Sequence, residues 1–134
     1  MKILITGGAG FVGSHLADRL IAEGHEITVI DDLSTGKYSN VEHLEGTGNF
    51  RLIIDTVRNE QLLEELVREA DHVYHMASAV GVRLIMEQPV KTIETIFHGT
   101  DAILKFCSRY RKRVLIPSTS EVYGKGASVP FKED

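Results

Sequence analysis

The chain contains one cysteine, Cys107, so no disulfide can close within it. That usage fits a reducing, cytoplasmic setting. No apolar run approaches the roughly 18 residues of a membrane span. The opening Met-Lys-Ile-Leu-Ile-Thr lacks the long apolar region of a signal peptide and reads as a strand. No Cys or His cluster has zinc spacing. Net charge is −4, which gives no broad attraction to nucleic acid or to an anionic membrane. Internal repeats and low-complexity tracts are also missing.

What is present is an ordinary globular composition, 43% hydrophobic and 25% charged over 134 residues. One domain is the natural expectation, with core enough to fold without metal or disulfide. Short apolar runs alternate with amphipathic stretches. KILIT (2–6), EITVID (26–31), NFRLIID (49–55), HVYHMA (72–77) and RVLIPS (113–118) read as strands. SHLADRLIAEG (14–24) and NEQLLEELVREA (59–70) read as helices. A longer helical pattern from Pro89 to Arg111 sets Ile93, Ile96, Phe97, Ile103, Leu104 and Cys107 on one broad apolar face. The 32–48 connection is mostly loop, with one short helix near Val41–Glu45. Alternating strands and helices predict an α/β fold with a doubly wound parallel sheet of about five strands, in the Rossmann order 3-2-1-4-5.

TGGAGFVG (6–13) follows the first strand and opens the first helix. Gly7, Gly10 and Gly13 suit a turn whose backbone amides face a pyrophosphate, where a side chain would block the approach. Asp31 closes the second strand, where a carboxylate can hold adenosine ribose hydroxyls and repel a 2′-phosphate, favouring NAD over NADP. The alternative is a plain strand-to-helix turn.

Three other features point away from binding chemistry. His72 and His75 lie three apart on a strand, so they face opposite ways and cannot chelate one metal. RYRKR (109–113) sits at a helix C-terminus, where cations complement the helix dipole, rather than forming a nucleic-acid patch. Cys107 lies on an apolar helix face and reads as packing rather than as a nucleophile.

TGGAGFVGSHL, DDLSTG (31–36), YHMAS (74–78), HGT (98–100) and PSTSEVYG (117–124), in that order, resemble the extended short-chain dehydrogenase/reductase family. The closer likeness is to its NAD-dependent sugar-nucleotide epimerases, dehydratases and decarboxylases. The resemblance runs the whole chain but matches only the N-terminal, cofactor-binding part of the family's length. It implies that Phe11 and Val12 lie against the pyrophosphate, and that Asp31 takes the ribose. Asp32, Leu33, Ser34 and Gly36 would wrap the adenosine side. Asp55, followed by Thr56, would face the adenine amino group, or else serve as a turn or cap acid. Met76, Ala77 and Ser78 would pass the inner ribose and nicotinamide, or simply pack tightly at a strand end.

The resemblance also implies catalytic roles. Thr119 would hydrogen-bond the sugar hydroxyl being oxidised, and Glu121 would act as acid or base near the keto sugar. Thr119–Ser120–Glu121 is more like UDP-glucuronate decarboxylases than dehydratases, which usually carry Asp-Glu after the Thr. UDP-glucose 4-epimerases are the other near group. The alternative is that Thr119 and Ser120 cap backbone groups and Glu121 is a surface acid.

Two family features have no match. The general base is a Tyr with Lys four residues on. Four residues after Tyr38, Tyr74, Tyr110 and Tyr123 stand Glu42, Ser78, Val114 and Ala127. In the family that helix follows the segment resembling SVPFKED (128–134). The family's Asn ahead of the Gly-Thr pair is Ile96 here. Residues 1–134 are therefore expected to form an incomplete NAD-binding Rossmann domain, ending before the catalytic helix and the substrate domain. Three expectations follow: the N-terminal part of a nucleotide-sugar enzyme with little turnover alone, a non-catalytic NAD sensor, or a subunit completed in trans. Truncation there would leave the 89–111 helix face and the strand-five edge bare, which favours self-association.

Overall fold

The computed structural model describes residues 1–78 and 89–124. Five parallel strands form one sheet: β1 (Lys2–Thr6), β2 (Glu26–Asp31), β3 (Phe50–Ile54), β4 (His72–His75) and β5 (Arg113–Leu115). Their order is β3-β2-β1-β4-β5. Ile3 pairs with Ile27 on one side and His72 on the other, so β1 is central. The helices are α1 (Phe11–Ala22), α2 (Glu60–Glu69) and α3 (Pro89–Tyr110).

Strand residues alternate between two cores, one on each face of the sheet. Ile3, Ile5, Ile27 and Val29 pack with Ala17 and Leu20 of α1 and with Val41 and Leu44 of the β2–β3 connection. On the opposite face, Leu4, Ile30 and Val73 pack with Leu63, Leu66 and Val67 of α2 and Ile103, Phe106 and Cys107 of α3. Apolar burial on both faces explains why β1 and β2 read as nearly unbroken hydrophobic runs.

Local chemistry sets the element ends. Gly10 is the N-cap of α1, which starts three residues before the expected Ser14 because Phe11–Gly13 already turn helically. Asn59 caps α2, its side chain accepting from Leu62 N–H. Past α1, Gly24 takes φ +82°, a conformation glycine adopts without strain. The β2–β3 connection contains two short 3-10 turns, Tyr38–Asn40 and Glu42–Leu44, in place of the single short helix expected. β4 and β5 are shorter than expected. Beyond His75 the backbone turns to meet β1's loop, and beyond Leu115 the chain leaves the ladder before Pro117, which has no N–H to donate.

The broad apolar face expected of α3 is two faces. Ile103 and Cys107 are buried, together with Ala102 and Phe106, while Ile93 and Phe97 are each 66% exposed, Leu104 is 47% exposed and Ile96 is 40% exposed. Helical spacing turns Ile93, Phe97 and Leu104 away from the arc that meets the sheet.

Candidate functional site

The glycine loop is a strand-to-helix turn packed tightly against its neighbours at Gly7, Gly8 and Gly13. Gly7 has φ +70°, and a Cβ there would lie 2.6 Å from Ala77 N. At Gly13 it would strike Gly7 O at 2.3 Å, and at Gly8 the Val29 side chain at 2.5 Å. Gly7 N–H donates to Ile30 O (2.8 Å), and Gly10 N–H closes the turn on Gly7 O (3.2 Å). Gly8 was not singled out from the sequence. Its adjacency to Gly7 was the available signal.

The first helical hydrogen bond of α1 is Ser14 N–H to Gly10 O, at 3.0 Å. The amides of Phe11, Val12 and Gly13 therefore have no carbonyl one turn back. No side chain caps this end and no acid lies in the first turn. The helix end presents N–H groups and positive dipole to whatever lies over it, the arrangement that suits a phosphate. Phe11 and Val12 are exposed there.

Asp31 ends β2 and is 7% exposed. One carboxylate oxygen accepts Ala9 N–H (2.8 Å) and the other accepts Leu33 N–H (2.9 Å). Leu33 takes φ +56°, an uncommon backbone state for a side-chain-bearing residue. Asp32 accepts Ser34 N–H at 3.0 Å, tightening the same turn. Gly36 closes over it, and a Cβ there would lie 2.9 Å from Ala9 C and 3.0 Å from Asp31 Oδ1. Asp31 thus ties the DDLSTG segment to the glycine loop.

Asp55 lies beside this group, its N–H donating to Asp31 O at 3.2 Å. Its carboxylate accepts from Thr56 N–H (2.7 Å) and Asn59 Nδ2 (2.9 Å). It therefore organises the turn into α2, and Thr56 takes part in that turn by accepting Arg58 N–H at 3.3 Å.

Met76 N–H donates to Thr6 O (2.9 Å) and Ala77 N–H to Thr6 Oγ1 (3.2 Å), which brings Ala77 against Gly7. Ser78 is exposed just beyond. Beneath this junction His75 is buried between two threonines, with Thr6 Oγ1 2.7 Å from Nδ1 and Thr100 Oγ1 3.2 Å from Nε2. With the ring proton on Nε2, the Thr6 hydroxyl donates to Nδ1 and Thr100 Oγ1 accepts from Nε2–H, a tautomer that gives both ring nitrogens a partner. Burial pushes His75 down to about 4, so the ring is neutral near pH 7. The Thr6–His75–Thr100 group was missed because its members are scattered along the chain.

Thr119 follows β5, and its carbonyl accepts Val122 N–H (3.2 Å) at the 3-10 turn Ser120–Tyr123. The side chains of Ser120 and Glu121, and all of 128–134, lie outside the described residues. The structure thus brings Gly7–Gly13, Asp31–Gly36, Asp55 and Met76–Ser78 to the carboxyl ends of neighbouring strands. There the strand order switches across β1, the place where open α/β sheets bind ligands. Among the described residues no metal-binding cluster occurs, and no helix is long and apolar enough to cross a membrane. Burial raises the Cys107 thiol, which suits packing.

The family model for GDP-mannose 4,6 dehydratase matches residues 4–134. The chain belongs to that family. Over 133 residues it is 45% identical to a UDP-N-acetyl-alpha-D-glucosaminuronate decarboxylase of Bacillus cytotoxicus. It is 47% identical over 133 residues to UDP-glucuronic acid decarboxylase 1 of Danio rerio. These alignments take in 99% of this chain but 40% and 31% of the two relatives. The fold matches the dTDP-glucose 4,6-dehydratase DesIV of Streptomyces venezuelae, solved with NAD and TYD bound, at TM-score 0.88 and 31% identity. That match covers 96% of this chain and 42% of the other. Members of this family are epimerases, dehydratases and decarboxylases of nucleotide sugars, and the chain spans less than half the length of those it matches.

Proposed function

We propose that residues 1–134 are the NAD-binding part of a nucleotide-sugar-modifying enzyme of the kind that includes UDP-glucuronate decarboxylases. The observation that carries this reading is the Asp31 carboxylate, buried at the end of β2 and hydrogen-bonded to Ala9 N–H beside a glycine loop in which backbone fills the Cβ positions of Gly7 and Gly13. A dinucleotide fits these residues. The first-turn amides at Phe11–Gly13 would hold the pyrophosphate. Asp31, with the Asp32–Gly36 turn, would hold the adenosine ribose. Asp55 would stand near the adenine, and Met76–Ser78 would border the nicotinamide ribose. NAD, when bound, supplies a hydride acceptor for a sugar carbon.

Asp31 also supports NAD over NADP. Its carboxylate would repel a 2′-phosphate, and its backbone ties leave it no route to swing aside. Thr119 would hold the sugar hydroxyl while Glu121 manages a proton. The likeness to decarboxylases and the Thr119–Ser120–Glu121 sequence support that branch. The exposed apolar arc of α3, with Val90, Ile93 and Phe97, supports self-association of the chain.

Thermal unfolding with added NAD⁺ tests the cofactor reading. A ligand that binds only the folded state adds about 2.7 kcal/mol of stability at one hundred times its Kd. The melting midpoint should therefore climb steadily through millimolar NAD⁺. A midpoint that stays put overturns the reading.

A further inference from the structure

We propose that Asn40 is a positioning residue for dinucleotide binding, setting the register between the ribose and pyrophosphate subsites without touching either. The inference rests on the NAD reading above and concerns the Ala9–Gly10 peptide. Ala9 is completely buried in the glycine loop. Its N–H is held by Asp31 Oδ2. Its carbonyl accepts two donors from the next segment, Lys37 N–H at 3.0 Å and Asn40 Nδ2 at 2.8 Å. Gly10 N–H, on the other side of the same peptide plane, is bonded to Gly7 O.

That plane is thus gripped at both ends, and Gly10 is the N-cap of α1. Rotating the plane would carry with it the first-turn amides that face a phosphate. The two donors come from one closed turn, because Asn40 N–H donates to Lys37 O at 3.0 Å. Gly36, immediately before it, lies against both Ala9 and the Asp31 carboxylate. The turn therefore sets how far the ribose-side loop lies from the pyrophosphate-side loop. Val41 and Leu44 hold the far end of the segment by burial and leave that spacing to Lys37 and Asn40. Proline would delete the Lys37 N–H, but Lys37 has φ −130°, which a proline ring does not adopt, and this leaves Asn40 as the adjustable contact.

Calorimetric titration of NAD⁺ into the chain and three variants tests this. Asn40→Ala and Asn40→Asp remove the donor, the second without changing shape. Thr47→Val removes a hydroxyl bond to Leu44 O in the same segment, away from Ala9. Both Asn40 variants should bind NAD⁺ about tenfold more weakly. Thr47→Val should stay within about twofold. Wild-type affinity in the Asn40 variants overturns the inference, as does an equal loss in a Thr47→Val protein of equal melting temperature. Should the Asn40 variants fail to fold, amide exchange in the wild type decides it. ADP spans both subsites and should slow exchange at Lys37 N–H about tenfold or more, whereas unchanged exchange with ADP bound overturns the inference. If the wild type binds neither nucleotide, the NAD reading falls with it. If it binds both and the Asn40 contact proves irrelevant, the NAD reading stands alone.

Discussion

Replacing Asp31 with alanine removes the acceptors for Ala9 N–H and Leu33 N–H together. Orphaned donors of this kind cost about 1–3 kcal/mol. Asp31→Ala should therefore lower stability as well as NAD⁺ affinity, and Asp31→Asn, which keeps one acceptor oxygen, should lose less of both. Urea unfolding alongside NAD⁺ titration separates the two effects. Undiminished stability in Asp31→Ala would contradict the loop-tying role. His75 gives a pH signature at the same scale. Its value falls from 6.5 to about 4 on folding, so between those limits the unfolded chain binds more protons. The stability from the neutral ring is complete above pH 6.5 and is lost as pH falls toward 4. The shift is worth on the order of 3 kcal/mol for this buried ring. Unfolding free energies at pH 6.5 and 5 should diverge less in His75→Asn than in the wild type, while identical slopes would remove His75 from the account.

The elements show how much of this was legible. β1 and β2 were readable to the residue, because strands buried on both faces leave unbroken apolar runs between a glycine turn and a terminal acid. The glycine loop was readable because Gly7 and Gly13 stand where backbone fills the Cβ position. Asn40 was not. It reaches 31 positions back to a carbonyl, and backbone acceptors leave no trace in residue identity. The two faces of α3 were merged for a related reason, since periodicity marks apolar positions without saying what covers them. The faces can be separated by mutation. Phe106→Ala empties a site that is 2% exposed and should cost about 3–5 kcal/mol. Phe97→Ala, on the open arc, should change stability by no more than about 0.5 kcal/mol in denaturant unfolding at dilutions that keep the chain monomeric. Equal losses there would mean that the monomer itself buries Phe97.

At the scale of the whole molecule, the sheet carries two different surroundings. On one face α2 and α3 share a buried apolar core, rimmed by Glu64, which accepts from Tyr110 and pairs with Arg109, and by Lys105 with Glu60. On the outer side of α3, Val90, Ile93 and Phe97 meet solvent. The proposed self-association uses this arc, so Phe97→Glu should shift sedimentation toward the monomer. A wild type that sediments as monomer at all concentrations would contradict that proposal. At the carboxyl edge, Gly7–Gly13 and Asp31 are the proposed NAD site. Titrating the chain with NAD⁺ and NADP⁺ in parallel by calorimetry tests it most directly. Saturable heat with NAD⁺ is expected, with affinity for NADP⁺ at least about tenfold weaker, because Asp31 would face the extra phosphate. No heat at millimolar NAD⁺, or equal affinity for the two, would contradict it.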